Sequence, residues 1–362
     1  MKKILTICSV FLITLCCYGN TDNTNLPRGK EDPRVAAAAA AFHQAMLDID
    51  TTHTTEIRSF MLVRKGKVVY EKYCGNETPQ TPREMYSIGK TLVALAVGCA
   101  VDEGKLSLSD RVIDFFPDML PAQIPDGMKD MTLRHLLTMT CGMEETPTLL
   151  SIFNPSVQGK DTINWVREFF ASPMPHKPGT YFYYNLFATH IVCAIVEKAT
   201  GMPFIDYITP RLLAPLHIKA LDYDKSPQGV FIGAWGVRLC AEEMAKIGQL
   251  MLQHGKWEGH QLISRRWMKQ MTNLQVPSAL HIALEKNTPK PKEEKVDPNE
   301  IHSQGYGYFV WRGTNDTYRA EGQFGQVILV HPKTDTVLVL TNYTKMYKEF
   351  YELIEQYLYP IL

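Results

Sequence analysis

The apolar positions along the chain fall into strand-like runs near both ends and helix-like runs between them. Residues 59–70 form two apolar runs joined at Lys65-Gly66, a pattern typical of a β-hairpin. Further strands are predicted near the other end of the chain, over residues 305–311, 317–320, 327–331 and 336–341. Helices are predicted over residues 35–47, 241–254 and 345–357, and over most of 87–220. The pattern predicts an α/β (α+β) chain whose two ends build one sheet flanked by helices.

Polar segments suggest how this chain is divided. Residues 20–34 are rich in Asn, Thr, Asp and Pro and predict a flexible lead. Residues 286–300 carry mixed charge and proline, which predicts a mobile surface loop. We therefore expect a sheet subdomain from about 35–86 and 301–362. A mainly helical subdomain is expected over about 87–285.

Composition excludes some classes of partner. The chain has 362 residues, of which 45% are hydrophobic, so it can bury a substantial core. Its 38 Lys and Arg residues balance its 38 Asp and Glu residues. Because no global field would attract polyanions, no nucleic-acid partner is expected, and the function must rest on local sites.

The first 19 residues predict a signal peptide. Two lysines at positions 2 and 3 precede an apolar run over residues 4–15 that is too short to span a bilayer. Cys16 and Cys17 leave open a lipid anchor, and ordinary cleavage after Gly19 is the alternative. We therefore expect an exported protein, either periplasmic or lipid-anchored to the cell envelope, that meets the membrane only through such an anchor.

The remaining cysteines and the histidines do not predict a metal centre. Five cysteines follow the signal, dispersed and without a Cys-x-x-Cys pair, so neither a disulfide framework nor a zinc site is expected. The histidines lack a His-x-x-x-His spacing with an acid. The sequence predicts no metal and no cofactor.

Candidate chemistry begins at Ser87 and Lys90, which stand three residues apart at the start of an apolar helical run over 91–97. Residues at this spacing share one face of a helix. A neutral amine beside a serine hydroxyl can take its proton and make it a nucleophile. Partial burial and the positive end of the helix dipole would both favour the neutral amine. By itself, the pattern is also that of a helix N-cap serine followed by a solvated lysine.

A second motif makes a family resemblance specific. Tyr183-Tyr184-Asn185 follows Pro178-Gly179 and precedes a long helical run. Together with Ser87 and Lys90, it resembles the Ser-x-x-Lys and Tyr-x-Asn motifs of the serine β-lactamase and penicillin-binding protein superfamily, on its class C-like and esterase-like branch. Residues 131–143 and 248–264 resemble further stretches of that family. The resemblance runs from about residue 60 to residue 341.

The resemblance implies a β-lactamase/transpeptidase-like fold with an antiparallel sheet, and acyl-enzyme chemistry. Ser87 would be the nucleophile, Lys90 its proton acceptor and Tyr183 a proton relay. Asn185 would hold Lys90 and bind the substrate. The backbone N–H groups of Ser87 and Gln323 would form the oxyanion hole.

One element departs from the family pattern. At the sheet edge, where the family usually has Lys-Thr-Gly or His-x-Gly, Ala320-Glu321-Gly322 fills the place. Gly322 still lets the backbone approach a substrate, but Ala320 supplies no cation or imidazole. This departure counts against a dedicated β-lactamase, whose substrate carries a carboxylate nearby.

Three functions remain open on the sequence. The first is a serine hydrolase acting on an ester or amide bond of a small molecule, resembling esterases and nylon-oligomer hydrolases. The second is a D-Ala-D-Ala carboxypeptidase or endopeptidase acting on peptidoglycan. The third is a module that binds peptidoglycan fragments or β-lactams without turnover.

Overall fold

The computed structural model describes residues 25–277 and 303–362. The predicted signal peptide and the predicted loop over 286–300 lie outside the described residues. Within those ranges, no helix is both long enough and apolar enough to cross a membrane.

The described helices are α1 (Pro33–Ile49), α2 (Gly89–Asp102), α3 (Asp126–Lys129), α4 (Leu133–Leu137), α5 (Pro147–Ser151), α6 (Trp165–Ala171), α7 (Leu186–Thr200), α8 (Phe204–Ile208), α9 (Ala241–Leu252), α10 (Arg265–Thr272) and α11 (Tyr347–Leu353). The described strands are β1 (Glu56–Arg64), β2 (Lys67–Tyr73), β3 (Arg83–Glu84), β4 (Asp222–Tyr223), β5 (Val237–Leu239), β6 (Lys256–Trp257), β7 (His260–Gln261), β8 (Trp311–Arg312), β9 (Tyr318–Gly322), β10 (Gln326–His331) and β11 (Thr336–Tyr343). A 3₁₀ turn, Tyr86–Ile88, leads into α2.

The main sheet is antiparallel and has the strand order β2-β1-β11-β10-β9-β8. Within it, β1, from the start of the chain, pairs with β11, from the end. The helical region between them is inserted, which confirms the predicted architecture. The hairpin of β1 and β2 turns at Lys65 and Gly66, both with positive φ, as the right-handed twist of paired strands requires.

The sheet separates two apolar cores because successive side chains of a strand point to opposite faces. On β1, Phe60 and Leu62 face a smaller core shared with α1 and α11. Met61 and Val63 face a larger core that contains α2, α7 and α9. The larger core surrounds the start of α2, where the candidate nucleophile lies.

Two predicted segments differ from the structure. The run 305–311 is not a strand: Tyr306 pairs with Val276 on one side and Trp311 on the other, so the segment folds back on itself. Phe309 has a positive φ, which a continuous strand does not allow. The run is apolar because Tyr306 and Trp311 pack against each other, with ring centroids 4.7 Å apart.

The described part of the predicted flexible lead is held against the protein. Residues 25–32 run beside β2, where Gly29 N donates to Val68 O and Val68 N donates to Pro27 O, both at 2.8 Å. Arg28 forms ion pairs with Glu71 and with the buried Glu242, each at 2.8 Å. The polar composition of this segment reflects these pairs rather than flexibility.

Candidate active site

Ser87 and Lys90 lie together at the start of α2. The Lys90 ammonium nitrogen donates to Ser87 Oγ at 2.8 Å, and also to the backbone carbonyl of Ala234 at 3.1 Å. Ser87 is half-buried, whereas Lys90 is only 1% exposed. The spacing predicted that the two side chains would meet, and the structure brings them into direct contact.

Lys90 is a buried lysine that has no opposite charge close to it. Among the described residues, no carboxylate lies within ion-pair distance of its Nζ. Burial lowers the pKa of Lys90 to about 7, and the negative charge of Glu145 only partly opposes this. Because a large fraction of such an amine is neutral at pH 7, it can accept the proton of Ser87.

The tyrosine beside this pair is Tyr184. Its phenol lies close enough to Ser87 for the two side chains to interact, and its ring centroid lies 4.8 Å from Lys90 Nζ. Burial raises the pKa of Tyr184, so it stays protonated at neutral pH. The Tyr184 ring stacks on Trp311 at 5.7 Å and also contacts Tyr306, which fixes its position.

Tyr183, the tyrosine predicted to relay protons, occupies a different place. Its backbone N–H donates to Met139 O at 2.8 Å, and burial together with Glu145 raises the pKa of its phenol to about 12. Among the contacts of the described residues, none joins Tyr183 to Ser87 or Lys90. The prediction was wrong by one residue in naming the phenol that meets Ser87.

Asn185 also differs from its predicted contacts. Its side-chain oxygen accepts from Ala188 N at 2.7 Å, which makes it the N-cap of α7. Its amide nitrogen donates to Met143 O at 3.2 Å. The carbonyl of Ala234, rather than Asn185, is the second partner of Lys90. Asn185 therefore holds the segment that carries Tyr184 and is fully buried.

Glu145 is a charged neighbour that the sequence reasoning missed. Its Oε1 accepts from the backbone N–H of Leu186 at 2.6 Å, at the first residue of α7. Burial raises the pKa of Glu145, while this hydrogen bond and Lys90 oppose the rise. The carboxylate therefore lies close enough to the site to influence Lys90, Tyr183 and Tyr184.

Close backbone approach brings the end of β9 to the nucleophile. A Cβ added to Gly322 would lie 2.1 Å from Met85 O, so only glycine fits between β9 and the turn that carries Ser87. Gln323 follows directly. Two flanking residues have positive φ, Tyr86 at 48° and Phe324 at 65°, and their rings meet edge-on at 5.2 Å. Such strain in bulky residues persists where surrounding contacts fix the backbone.

Ala320 and Glu321 stand where the family usually has Lys-Thr-Gly or His-x-Gly, and their side chains point to opposite faces of β9. Ala320 is buried in the larger core, and the structure places no cation at this position. Glu321 faces the opposite side and accepts from Arg319 Nε at 2.8 Å and from the Tyr347 hydroxyl at 2.6 Å. Glu321 is therefore part of a buried ion pair behind the sheet.

The sequence contained a reason to doubt the Tyr-x-Asn match that pointed to Tyr183. Asn185 precedes a long apolar helix, which is an N-cap pattern, and an N-cap side chain is committed to its own helix. If Asn185 is an N-cap, it is not the asparagine of a Tyr-x-Asn motif. The sequence then does not decide whether Tyr183 or Tyr184 lies beside Ser87. No sequence signal distinguishes Glu145 from its neighbour Glu144, because their separation depends on the path of the loop.

A comparison with family models matches residues 55–356 to the family described as Beta-lactamase. The chain belongs to the beta-lactamase family. This assignment covers both ends of the main sheet and the whole Ser87 region.

Curated relatives of this beta-lactamase-family chain include two named hydrolases. The 6-aminohexanoate-dimer hydrolase of Paenarthrobacter ureafaciens is 22% identical over 58% of this chain and 56% of its own length. Esterase EstB of Burkholderia gladioli is 27% identical over 51% of each chain. The matches therefore span about half the length of these relatives.

Solved structures show the same fold over more of the chain. EstCE1, described as a hydrolase with promiscuous acyltransferase activity, has a TM-score of 0.69 at 16% identity and covers 91% of this chain and 99% of its own. The octameric penicillin-binding protein homologue from Pyrococcus abyssi has a TM-score of 0.65 at 19% identity, covering 89% and 77%. At these identities, the likeness establishes the fold.

Proposed function

We propose that this protein is a serine hydrolase that forms an acyl-enzyme on Ser87 and hydrolyses an ester or amide bond of a small molecule. The contact that carries the proposal is the 2.8 Å hydrogen bond between Lys90 Nζ and Ser87 Oγ, formed by a lysine whose pKa burial lowers to about 7. A buried amine with a lowered pKa is the form of lysine that activates a hydroxyl.

The acylation step follows from this arrangement. Ser87 Oγ attacks the substrate carbonyl carbon, and its proton passes to Lys90 directly or through Tyr184. The carbonyl oxygen becomes negative and is held by the N–H groups of Ser87 and Gln323. When the intermediate collapses, the bond to the leaving group breaks and the leaving group takes the Tyr184 proton. Tyr184 regains a proton from the Lys90 ammonium.

Deacylation repeats these steps with water in place of the leaving group. Water attacks the acyl carbon, and its proton passes to Lys90 directly or through Tyr184, which gives its own proton to Lys90 as it accepts the one from water. The bond to Ser87 Oγ then breaks, and Ser87 regains its proton. The enzyme returns to its starting protonation state, and the carboxylic acid leaves.

Substrates without a carboxylate next to the scissile bond fit this site best. Ala320 provides no cation, and Glu145 adds negative charge near the nucleophile. The names of the curated relatives, an esterase and an amide-dimer hydrolase, support esters and amides as the substrate class. A peptidoglycan carboxypeptidase is less favoured because its substrate ends in a carboxylate.

Covalent labelling tests the proposal. A fluorophosphonate should add one adduct to the purified protein, as seen by intact mass, and p-nitrophenyl acetate should be turned over. Ser87→Ala should abolish both, while Ser109→Ala, at an exposed serine in the turn beyond the far end of α2, serves as the matched control and should leave both unchanged. Turnover by Ser87→Ala at the parental rate would overturn the proposal.

Export is part of the same proposal. The lysines at positions 2 and 3 and the apolar run over 4–15 support it. Cell fractionation with and without residues 2–19 tests this: the parent should reach the envelope and the deletion should stay in the cytoplasm. Equal cytoplasmic retention of both would contradict it.

A further inference from the structure

An open groove lies beside the catalytic pair. It has a volume of about 680 Å³, and its apolar walls include Phe153, Trp165, Ile232 and Trp235. Trp235 directly follows Ala234, whose carbonyl accepts a hydrogen bond from Lys90 at 3.1 Å. One wall of the groove therefore begins at the residue next to a hydrogen-bond partner of Lys90.

Three aromatic rings build one wall of this groove. Trp235 meets Phe153 edge-on at 4.9 Å and Trp165 at 5.6 Å, and Phe187 of α7 supports them from behind. Phe153 is 47% exposed, although large apolar side chains in this chain are mostly buried. An exposed aromatic edge at a groove is a surface on which a flat apolar group can pack.

The charges at the groove do not favour an ionic ligand. Lys160, Lys225, Asp161 and Asp224 line it, two of each sign. Asp224 is already paired with Arg238 at 3.0 Å. Without a dominant charge, the groove suits an uncharged group.

The position of Tyr184 decides which part of the substrate enters. Lys90 Nζ contacts both the Tyr184 ring and the Ala234 carbonyl, but Tyr184 is not among the residues that line the groove. Tyr184 packs in a separate aromatic cluster with Tyr306 and Trp311. In the proposed mechanism Tyr184 protonates the leaving group, and the groove, which neither Tyr184 nor its aromatic partners line, is assigned to the acyl group.

We propose that the groove lined by Phe153, Trp165 and Trp235 binds an uncharged aromatic acyl group of the substrate. The preferred substrates are then arylacyl esters or amides, such as phenylacetyl compounds. This inference rests on the acyl-enzyme at Ser87 proposed above.

A matched ester series tests the groove. The substrates are p-nitrophenyl acetate, phenylacetate and octanoate, the last two having acyl groups with the same number of carbons. The parent should favour phenylacetate over both others by about tenfold or more in kcat/KM. Phe153→Ala should lower the phenylacetate-to-acetate ratio by about fivefold or more, and Trp235→Ala should lower it further, because the aromatic contact area is lost.

Controls separate this inference from the proposed function. Leu47→Ala removes an equally exposed apolar side chain, 46% exposed on α1, behind the main sheet, and should leave the ratio unchanged. A second series with acetyl fixed and aryl leaving groups varied should be unaffected by Phe153→Ala. Equal ratios in the parent and both groove variants, or an effect confined to the leaving-group series, would overturn the groove assignment. Loss of all turnover in Ser87→Ala would still support the acyl-enzyme.

Discussion

Lys90 and Arg319 are two cations that the fold buries equally, each 1% exposed, but their surroundings differ. Lys90 has a serine hydroxyl and a backbone carbonyl as partners, and its pKa falls to about 7. Burial would also lower the pKa of Arg319, but the Glu321 carboxylate at 2.8 Å and the neighbouring tyrosines together more than offset it, and the pKa rises. Burial without a close counter-charge creates a base, whereas burial with one creates a structural ion pair.

Each buried cation also has its own tyrosines. Tyr184 lies beside Ser87 and Lys90, and in the proposed mechanism it exchanges protons with the reacting groups. Tyr347 donates to Glu321 at 2.6 Å, and Tyr351 lies under the Arg319 guanidinium at 5.2 Å. Tyr347 and Tyr351 therefore surround the Arg319–Glu321 ion pair. Tyr184 is instead the phenol that would pass protons between Lys90 and the substrate in the proposed mechanism.

The largest expected effect separates the two cations by activity. Lys90→Met should lower kcat/KM by about 10⁴-fold or more, because the nucleophile loses its proton acceptor. Arg319→Met should leave kcat/KM of the folded protein within about tenfold of the parent, since Arg319 and Glu321 pack on the other face of the sheet and reach the site only through the charge of Glu321 on Tyr184. Ester hydrolysis at a temperature where both variants are folded measures this. Comparable losses in the two variants would remove the distinction.

The same two substitutions should change the free energy of unfolding in opposite directions. Arg319→Met leaves Glu321 buried without its cation and should cost about 3 to 5 kcal/mol in the free energy of unfolding. Lys90→Met removes a buried amine whose pKa falls from 10.5 to about 7, and should add roughly 2 to 5 kcal/mol at pH 7. Urea unfolding of both variants measures the difference.

The lowered pKa of Lys90 also predicts how the stability of the protein depends on pH. Between pH 7 and 10.5, the unfolded chain binds the Lys90 proton more than the folded chain does, so stability should rise with pH in this window. Lys90→Met should remove that slope. A slope that remains unchanged in the variant would show that other groups cause it.

The neighbouring tyrosines sharpen the comparison. Tyr184→Phe should lower kcat by about 10²-fold or more, because the leaving group loses its proton donor. Tyr183→Phe is the matched control and should remain within about threefold of the parent, since it has no contact with the reacting groups. The opposite order of effects would return the relay to Tyr183.

The smallest expected effect comes from Glu145, whose carboxylate influences Lys90 without forming an ion pair with it. Glu145→Gln should shift the acidic limb of the kcat/KM profile to lower pH by roughly half a unit to one unit, because the carboxylate raises the pKa of Lys90. The other groups facing Lys90 are Ser87, Tyr184 and the Cys193 thiol of α7, which is protonated because burial raises its pKa. A profile that moves to higher pH, or does not move, would contradict this role.

The sequence predicted the parts of this picture that depend on local spacing. Ser87 and Lys90 meet because a helix brings residues three apart onto one face, and the β1–β2 hairpin forms because Lys65-Gly66 suits its turn. The assembly of the sheet from both chain ends followed from the order of strand-like and helix-like runs.

The parts it missed depend on contacts between distant segments. Whether Tyr183 or Tyr184 faces Ser87 is decided by the packing of Trp311, more than a hundred residues later. The run 305–311 has strand composition, but its aromatic side chains are used to pack around Tyr306. Glu145 influences Lys90 only because the loop before α5 meets the start of α7.

The pH dependence of kcat/KM in the parent protein tests most directly whether Lys90 is the neutral base. The account predicts an acidic limb with an apparent pKa of about 7, at which Lys90 loses its proton. A limb that lies near the ordinary lysine value of 10.5, or no limb between pH 5 and 9, would contradict it.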